Sequence, residues 1–252
     1  VYLLGAFLFS IKNFRSFTMS RFPRNGVDDD VYQINVITSD ITYMKDTYCV
    51  AGWSPSTGQM KRLMINGNHW SDKDLKKIGK YASLNVSVIP KEGGRNYPHR
   101  TEDTNIDDNF KVVRHYENPE ILAKNLRPAT SGTIQKAFGG NLKEQSYVPF
   151  KTECPSLGGV ILPVKNVRFF KKDGKLRVNL LDNDKTEYDV RVTCKYLRDV
   201  LDSMPTKEFE EFIADMENSD KKAHVRVGLA KPYVYKDSNC YLMCNGVFFY
   251  DE

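Results

Sequence analysis

Residues 172–193 read KDGKLRVNLLDNDKTEYDVRVT, and their alternation decides the fold. Leu176, Val178 and Leu180 share one parity while Arg177 and Asn179 take the other; Tyr188, Val190 and Val192 repeat the pattern opposite Asp189 and Arg191. Successive side chains on a strand point to opposite faces, so a period of two predicts strands with one buried and one solvated side. Asp173-Gly174 and Asp182-Asn183 supply turns, and with the run at 159–171 they make a three-stranded meander. Residues 195–218 then turn helical, interrupted at Pro205, with Phe209, Phe212, Ile213 and Met216 at the spacing of a buried stripe. Val225, Val227 and Leu229 alternate again, and 239–250 closes the set. Three strands, a helix and two strands is the connectivity of a small Greek-key barrel of the OB type.

The same order is expected earlier in the chain. Residues 32–38 are β-rich, 40–46 read as a polar loop, and 47–53 and 59–65 form the second and third strands around the Pro55 and Gly58 turn. Ser71 caps a short helix with Asp74 three residues on, and Leu75 and Ile78 give it an apolar face. A fourth strand follows at 84–89, then a long polar loop, 90–109, and a fifth strand at 110–116. Asn118-Pro119 opens a connector helix to about Leu126, with a further turn at 131–138 stopped by Gly139-Gly140. The expected fold class is therefore mainly β with short helices: two tandem OB-fold-like five-stranded β-barrels. The domains are residues 31–117 and 156–252, with a connector at 118–155.

Residues 1–30 are set apart as an extension or leader. Their apolar run VYLLGAFLF, 1–9, has no preceding basic region and is shorter than the ~20 residues of a membrane span, Met19-Ser20 reads as an alternative start, and Asp28 to Asp30 as a solvated lead-in. No membrane association is expected.

With 40% hydrophobic and 27% charged residues in 252, the chain can bury two ordinary cores, which excludes a disordered chain. Net charge is +5, and all of the surplus lies in the first half: Lys and Arg outnumber Asp and Glu 20 to 15 in residues 1–150 and balance at 17 and 17 afterwards. That distribution is compatible with a polyanion partner for the first barrel. Five cysteines are odd in number and too sparse for a disulfide scaffold, which points to reduced thiols and a cytoplasmic location. Cys240 and Cys244 have neither CxxC spacing nor a neighbouring histidine, so no metal is expected.

An OB surface binds through strands two and three and the loops that flank them, where rings stack bases and cations follow phosphates. In the first barrel those positions gather Tyr43, Lys45, Trp53, Lys61 and Arg62, and the long loop adds Lys91, Arg95, Tyr97, His99 and Arg100. Trp53 serves equally well as a cap on the core, and Lys61 and Arg62 have opposite parity, so one at most faces the groove. Arg177, Arg191, Tyr233, Tyr235 and Lys236 hold analogous places in the second barrel, where balanced charge favours a structural or protein-contact role. The expected activity is non-catalytic binding of single-stranded DNA or RNA, with no cofactor. Two alternatives stand: a protein-interaction adaptor, since the scaffold does not fix the ligand, and a metal-dependent nuclease using His99, Glu102, Asp103, Asp107 and Asp108. No glycine-rich phosphate cradle, nucleophile motif or HExxH helix accompanies those acids.

Several segments from Ile34 to Phe249 resemble the dual OB-containing domain (DuOB) family of bacterial proteins linked to genome conflict and defence. They are YCVAGW (48–53) with Arg62 on the next strand, YPHRTEDTNI (97–106), SLGGVILPV (156–164), KLRVNL (175–180) with YDVRVT (188–193), HVRVGLAKPY (224–233) and CYLMCNGVFF (240–249). The resemblance implies two OB barrels, nucleic-acid binding in a defence setting, and no established chemistry.

Overall fold

The computed structural model describes residues 31–89, 101–232 and 238–251. The first half runs β1 (Tyr32–Tyr43), β2 (Tyr48–Ser54), β3 (Gln59–Ile65), α1 (Asp72–Ile78), β4 (Ala82–Val88), β5 (Asp103–Ile106) and β6 (Lys111–His115). β1 pairs with β2 through its second half and with β4 through its first; β3 lies parallel to β5, and β5 and β6 share the far edge of β4. The path β1-β2-β3-β5-β4-β1 is closed, which is the OB barrel.

Two expectations for this half are corrected. Residues 40–43 are strand: β1 passes through a bulge between Thr38 and Asp40 and continues opposite β2. Such a bulge bends a strand enough to serve two sides of a barrel. The fifth strand is broken in two, so the expected strand at 110–116 is only its second part. The part that closes the barrel against β3 is Asp103–Ile106, inside the segment read as loop, and a turn in which the Asp107 side chain accepts from the Asn109 N–H at 3.0 Å separates the halves. Helix α1 starts as the sequence predicts, with the reciprocal Ser71 and Asp74 cap, and stops at Gly79 with φ 65°.

The connector holds α2 (Pro119–Leu126), α3 (Ile134–Ala137) and the short strand β7 (Tyr147–Pro149). The second half follows with β8 (Leu157–Pro163), β9 (Val167–Lys172), β10 (Lys175–Leu181), β11 (Glu187–Val192), α4 (Lys195–Leu201), α5 (Thr206–Glu217), β12 (Lys222–Leu229) and β13 (Asn239–Tyr250). The path β8-β12-β13-β11-β10-β9 returns on itself, because β8 and β9 are successive halves of one strand parted by a 3-10 turn at Val164–Asn166. That interruption corrects the single strand expected over 159–171. It repeats the device of β1, a long first strand that breaks where it changes partner. β7, absent from the sequence reading, pairs with the start of β13.

Each barrel has its own apolar core. Leu176, Val178, Leu180, Tyr188, Val190 and Val192 fill the second, with Phe209, Phe212 and Ile213 of α5 packed against it. Val36, Ile41, Val50, Leu63, Leu84 and Ile106 fill the first, which also takes in Leu122 and Leu126 of α2 and Phe248 and Tyr250 of β13. The last strand of the chain thus belongs to both cores.

Candidate nucleic-acid interface

The outer surface of β1 to β3, where a groove is expected, lies against the wall of the second barrel formed by β8, β12 and β13. On this outer parity Ala51 of β2 and Met60 of β3 pack on Leu157 of β8. Arg226 of β12, fully buried, donates through Nε to Asp40 Oδ1 at 2.9 Å and through Nη1 to the Ala129 carbonyl at 3.2 Å, and its Nη2 lies 3.1 Å from Met60 Sδ. Asn245 Nδ2 donates to the second Asp40 oxygen at 3.3 Å. A second buried cluster lies beside it: Glu102 accepts from the backbone N–H groups of Ser156 and Leu157 at 2.6 and 3.3 Å and from Ser156 Oγ at 3.0 Å. Buried charges persist only when paired and hydrogen-bonded, and both clusters meet that condition.

This packing decides the sequence-predicted residues. Arg62 is 3% exposed, paired with Asp103 and donating to Ser156 Oγ at 2.8 Å, so it fastens the barrels and is withdrawn from any groove. Trp53 is half-buried against both the first core and the Ala51, Met60 and Leu157 cluster. Lys61, half-buried, donates to Gln59 Oε1 at 2.8 Å, and burial lowers its pKa against the opposing pull of Glu102. Lys45 is exposed, 4.0 Å from Asp46. Lys91, Arg95, Tyr97, His99 and Arg100 lie outside the described residues, as do Tyr233, Tyr235 and Lys236. Of the acids weighed for a nuclease, Glu102 is spent on bonds to Ser156 and Leu157 of the second barrel and Asp103 on Arg62 within the first, His99 is not described, and no group of three metal-ligating side chains occurs among the described residues. Cys240 and Cys244 point into the second core.

Tyr43 reaches across to the second barrel. Its hydroxyl donates to Asp199 at 2.5 Å, and the Lys195 ammonium lies 5.4, 5.9 and 5.2 Å from the ring centres of Tyr43, Tyr48 and Tyr196. Burial is the largest influence and opposes the Lys195 and Asp199 charges, but their mutual hydrogen bond, their attraction and the Tyr43 hydroxyl together outweigh it, holding the carboxyl below and the ammonium above their ordinary ranges. The contact joins residues over 150 positions apart, so no local sequence signal could reveal it.

Among the described residues, nothing covers the corresponding outer surface of the second barrel. Because Leu176, Val178 and Leu180 point inward, Lys175, Arg177 and Asn179 point out; the same rule sets Arg168, Phe170 and Lys172 outward on β9, Glu187, Asp189 and Arg191 on β11, and Tyr241 and Met243 on β13. Register aligns Phe170, Arg177, Arg191 and Met243 in one row across four strands, about 14 Å at ordinary strand spacing. Lys172 and Lys175 face each other one step along, and the Tyr147 and Tyr241 rings, 5.8 Å apart, stand at the β13 side. Arg177 is held through Nε by Asp189 at 2.6 Å, and Arg191 is exposed. Cations thus outnumber carboxylates on an open sheet flanked by rings. The alternation of 175–181 and 186–193 already separated Arg177 and Arg191 from the core; Phe170, Lys172 and Lys175 join them only through pairing register. An open cleft of about 430 Å³ continues this surface beyond β9, toward α5.

No protein-family model and no curated protein matches the chain. Among solved structures the chain is similar to the HINa domain of Ifi202, solved in complex with 20-bp double-stranded DNA, at 10% identity and a TM-score of 0.34, covering 87% of this chain and 91% of that one. It is also similar to a chain solved under the heading of structural mimicry for functional antagonism, at 9% identity, a TM-score of 0.35 and coverage of 88% and 96%. A third, from work on the molecular basis for abrogation of activation of pro-inflammatory cytokines, gives 11% identity, a TM-score of 0.34 and coverage of 90% and 99%. No helix among the described residues is long and apolar enough to cross a membrane.

Proposed function

We propose that this chain binds nucleic acid without catalysis, through the outer surface of its second barrel. The observation that carries the reading is the contrast between two equivalent surfaces: that of the first barrel is closed by Arg226, Ser156 and Leu157, while that of the second is open and carries Arg168, Lys172, Lys175, Arg177 and Arg191. A sheet of this kind places cations where phosphates pass and rings where bases stack, and needs no cofactor. The ligand is single-stranded DNA or RNA, whose unpaired bases can reach Phe170, Tyr147 and Tyr241. The resemblance to the DuOB family supports a bacterial genome-conflict setting in the cytoplasm.

Fluorescence anisotropy with labelled single-stranded and duplex oligonucleotides over a salt series tests this. Arg177→Ala with Arg191→Ala is expected to weaken binding at least about tenfold and to reduce the slope of log affinity on log salt by about 1.4, roughly 0.7 for each lost phosphate contact on a single strand. Trp53→Ala, at the seam, is expected to change stability more than affinity. Salt-independent binding, or arginine variants that bind as the parent does, would refute the assignment and favour the protein-adaptor reading.

A further inference from the structure

We propose that the cleft between β9 and α5 is a subsite for one unpaired nucleobase, and that it confers preference for single strands over duplex. The inference rests on the proposed nucleic-acid surface and names what that surface selects.

Phe170, Phe209 and Ile213 give the cleft its apolar lining, and Arg168, Asn179 and Glu217 its polar rim. Arg168 and Glu217 face each other across it at 3.4 Å, both well exposed. The Lys171 ammonium lies 5.2 Å from the Phe209 ring centre and bonds the carbonyls of Asp202 and Met204, which ties the C-terminal end of α4 to β9 beside the start of α5. About 430 Å³ is room for a heterocycle and part of its sugar.

The chemistry of the rim selects the occupant. An aliphatic side chain would draw no bond from Arg168, Asn179 or Glu217, whereas the edge of a base presents donors and acceptors together, for which a guanidinium, an amide and a carboxylate are complementary partners. Position supports the same choice. Phe170 both lines the cleft and stands opposite Arg177 in the basic row, so a base resting on it leaves its phosphates over Lys172, Lys175 and Arg177. Bases within a duplex are paired and stacked on both sides and cannot enter, so the cleft rewards only a strand whose bases are free to turn out.

The test uses the whole chain and a labelled 12-mer single strand, the same 12-mer with abasic sites, and the corresponding duplex. Phe170→Ala removes the stacking ring; Ala214→Trp, from an exposed position on α5, fills the cleft without touching the basic row. Loss of one stacked base is worth about tenfold in affinity, so either variant is expected to lower the ratio of single-strand to duplex affinity about tenfold, and abasic substitution is expected to do the same to the parent protein. If both variants and the abasic strand leave the ratio unchanged, or if duplex binds as tightly as single strand, the subsite is refuted, and the basic surface stands or falls separately on Arg177→Ala with Arg191→Ala. No binding of any oligonucleotide overturns both.

Discussion

His224 shows how the seam between barrels constrains a single residue. It is fully buried on β12 beside Arg226, with Nδ1 3.4 Å from the Ala123 carbonyl and Nε2 without a partner. Burial, and then the Arg226 cation, push its pKa down to about 3. In the unfolded chain a histidine binds its proton near pH 6.5, so acid favours the unfolded state. This contribution is complete above pH 6.5 and is lost as pH falls toward 3, at about 1.4 kcal/mol per pH unit below 6. Urea unfolding of the parent and of His224→Gln at pH 7.5 and 5.0 checks this: the stability difference between the two pH values should shrink by about 1.5 to 2 kcal/mol in the variant. The sequence could place His224 on a strand but not name its neighbours. Parity put it opposite Val225, and only the docked first barrel and α2 turn that outward position into a dry one.

At the scale of elements, local pattern was legible where the chain meets local rules. The Ser71 cap, the turns at 173–174 and 182–183, the start of α2 at Pro119 and the limits of β3 and β13 all follow from residues within a few positions. What the sequence hid are breaks and extensions fixed by partners elsewhere. Residues 40–43 look polar because Asp40 and Thr42 are buried polar groups, Asp40 being satisfied by Arg226 and Asn245 across the fold, and Asp103–Ile106 looks like loop because its acid is an ion-pair partner of Arg62. Gly52 marks the tightest of these approaches. A Cβ there would stand 2.1 Å from the Ile37 carbonyl oxygen and 2.8 Å from Thr38 Cα, both backbone, where β1 enters its bulge. Gly52→Ala therefore requires β1 and β2 to separate, and a loss of about 2 to 4 kcal/mol is expected in chemical unfolding, the range of backbone strain added to a disturbed core. An alanine variant as stable as the parent would show that β1 shifts without cost.

At the scale of the molecule, the duplicated barrel was legible from the order of elements, whereas the surface proposed here for binding was not. Charge counts favoured the first half for binding because they weigh every lysine and arginine alike. The structure removes Arg62 by burial and leaves Arg177 and Arg191 in the open. Which of two similar sheets is covered depends on docking, and docking depends on pairs such as Asp40 with Arg226, 186 residues apart. Removing one partner of a buried pair leaves the other charge stranded and costs about 3 to 5 kcal/mol. Asp40→Ala is expected to lose that much, with both barrels unfolding together in the parent and calorimetry revealing two transitions in the variant. A single, unshifted transition would mean that the seam carries little of the stability.

Phe248 and Tyr250, at the end of β13, sit in the core of the first barrel, and this orders events on the ribosome. The first barrel is translated ahead of the second, yet part of its interior is furnished by the final strand of the second. Until β13 emerges it must wait with an unfilled flank, a period in which chaperones have a sticky surface to shield and a stop before β13 leaves neither half able to mature alone.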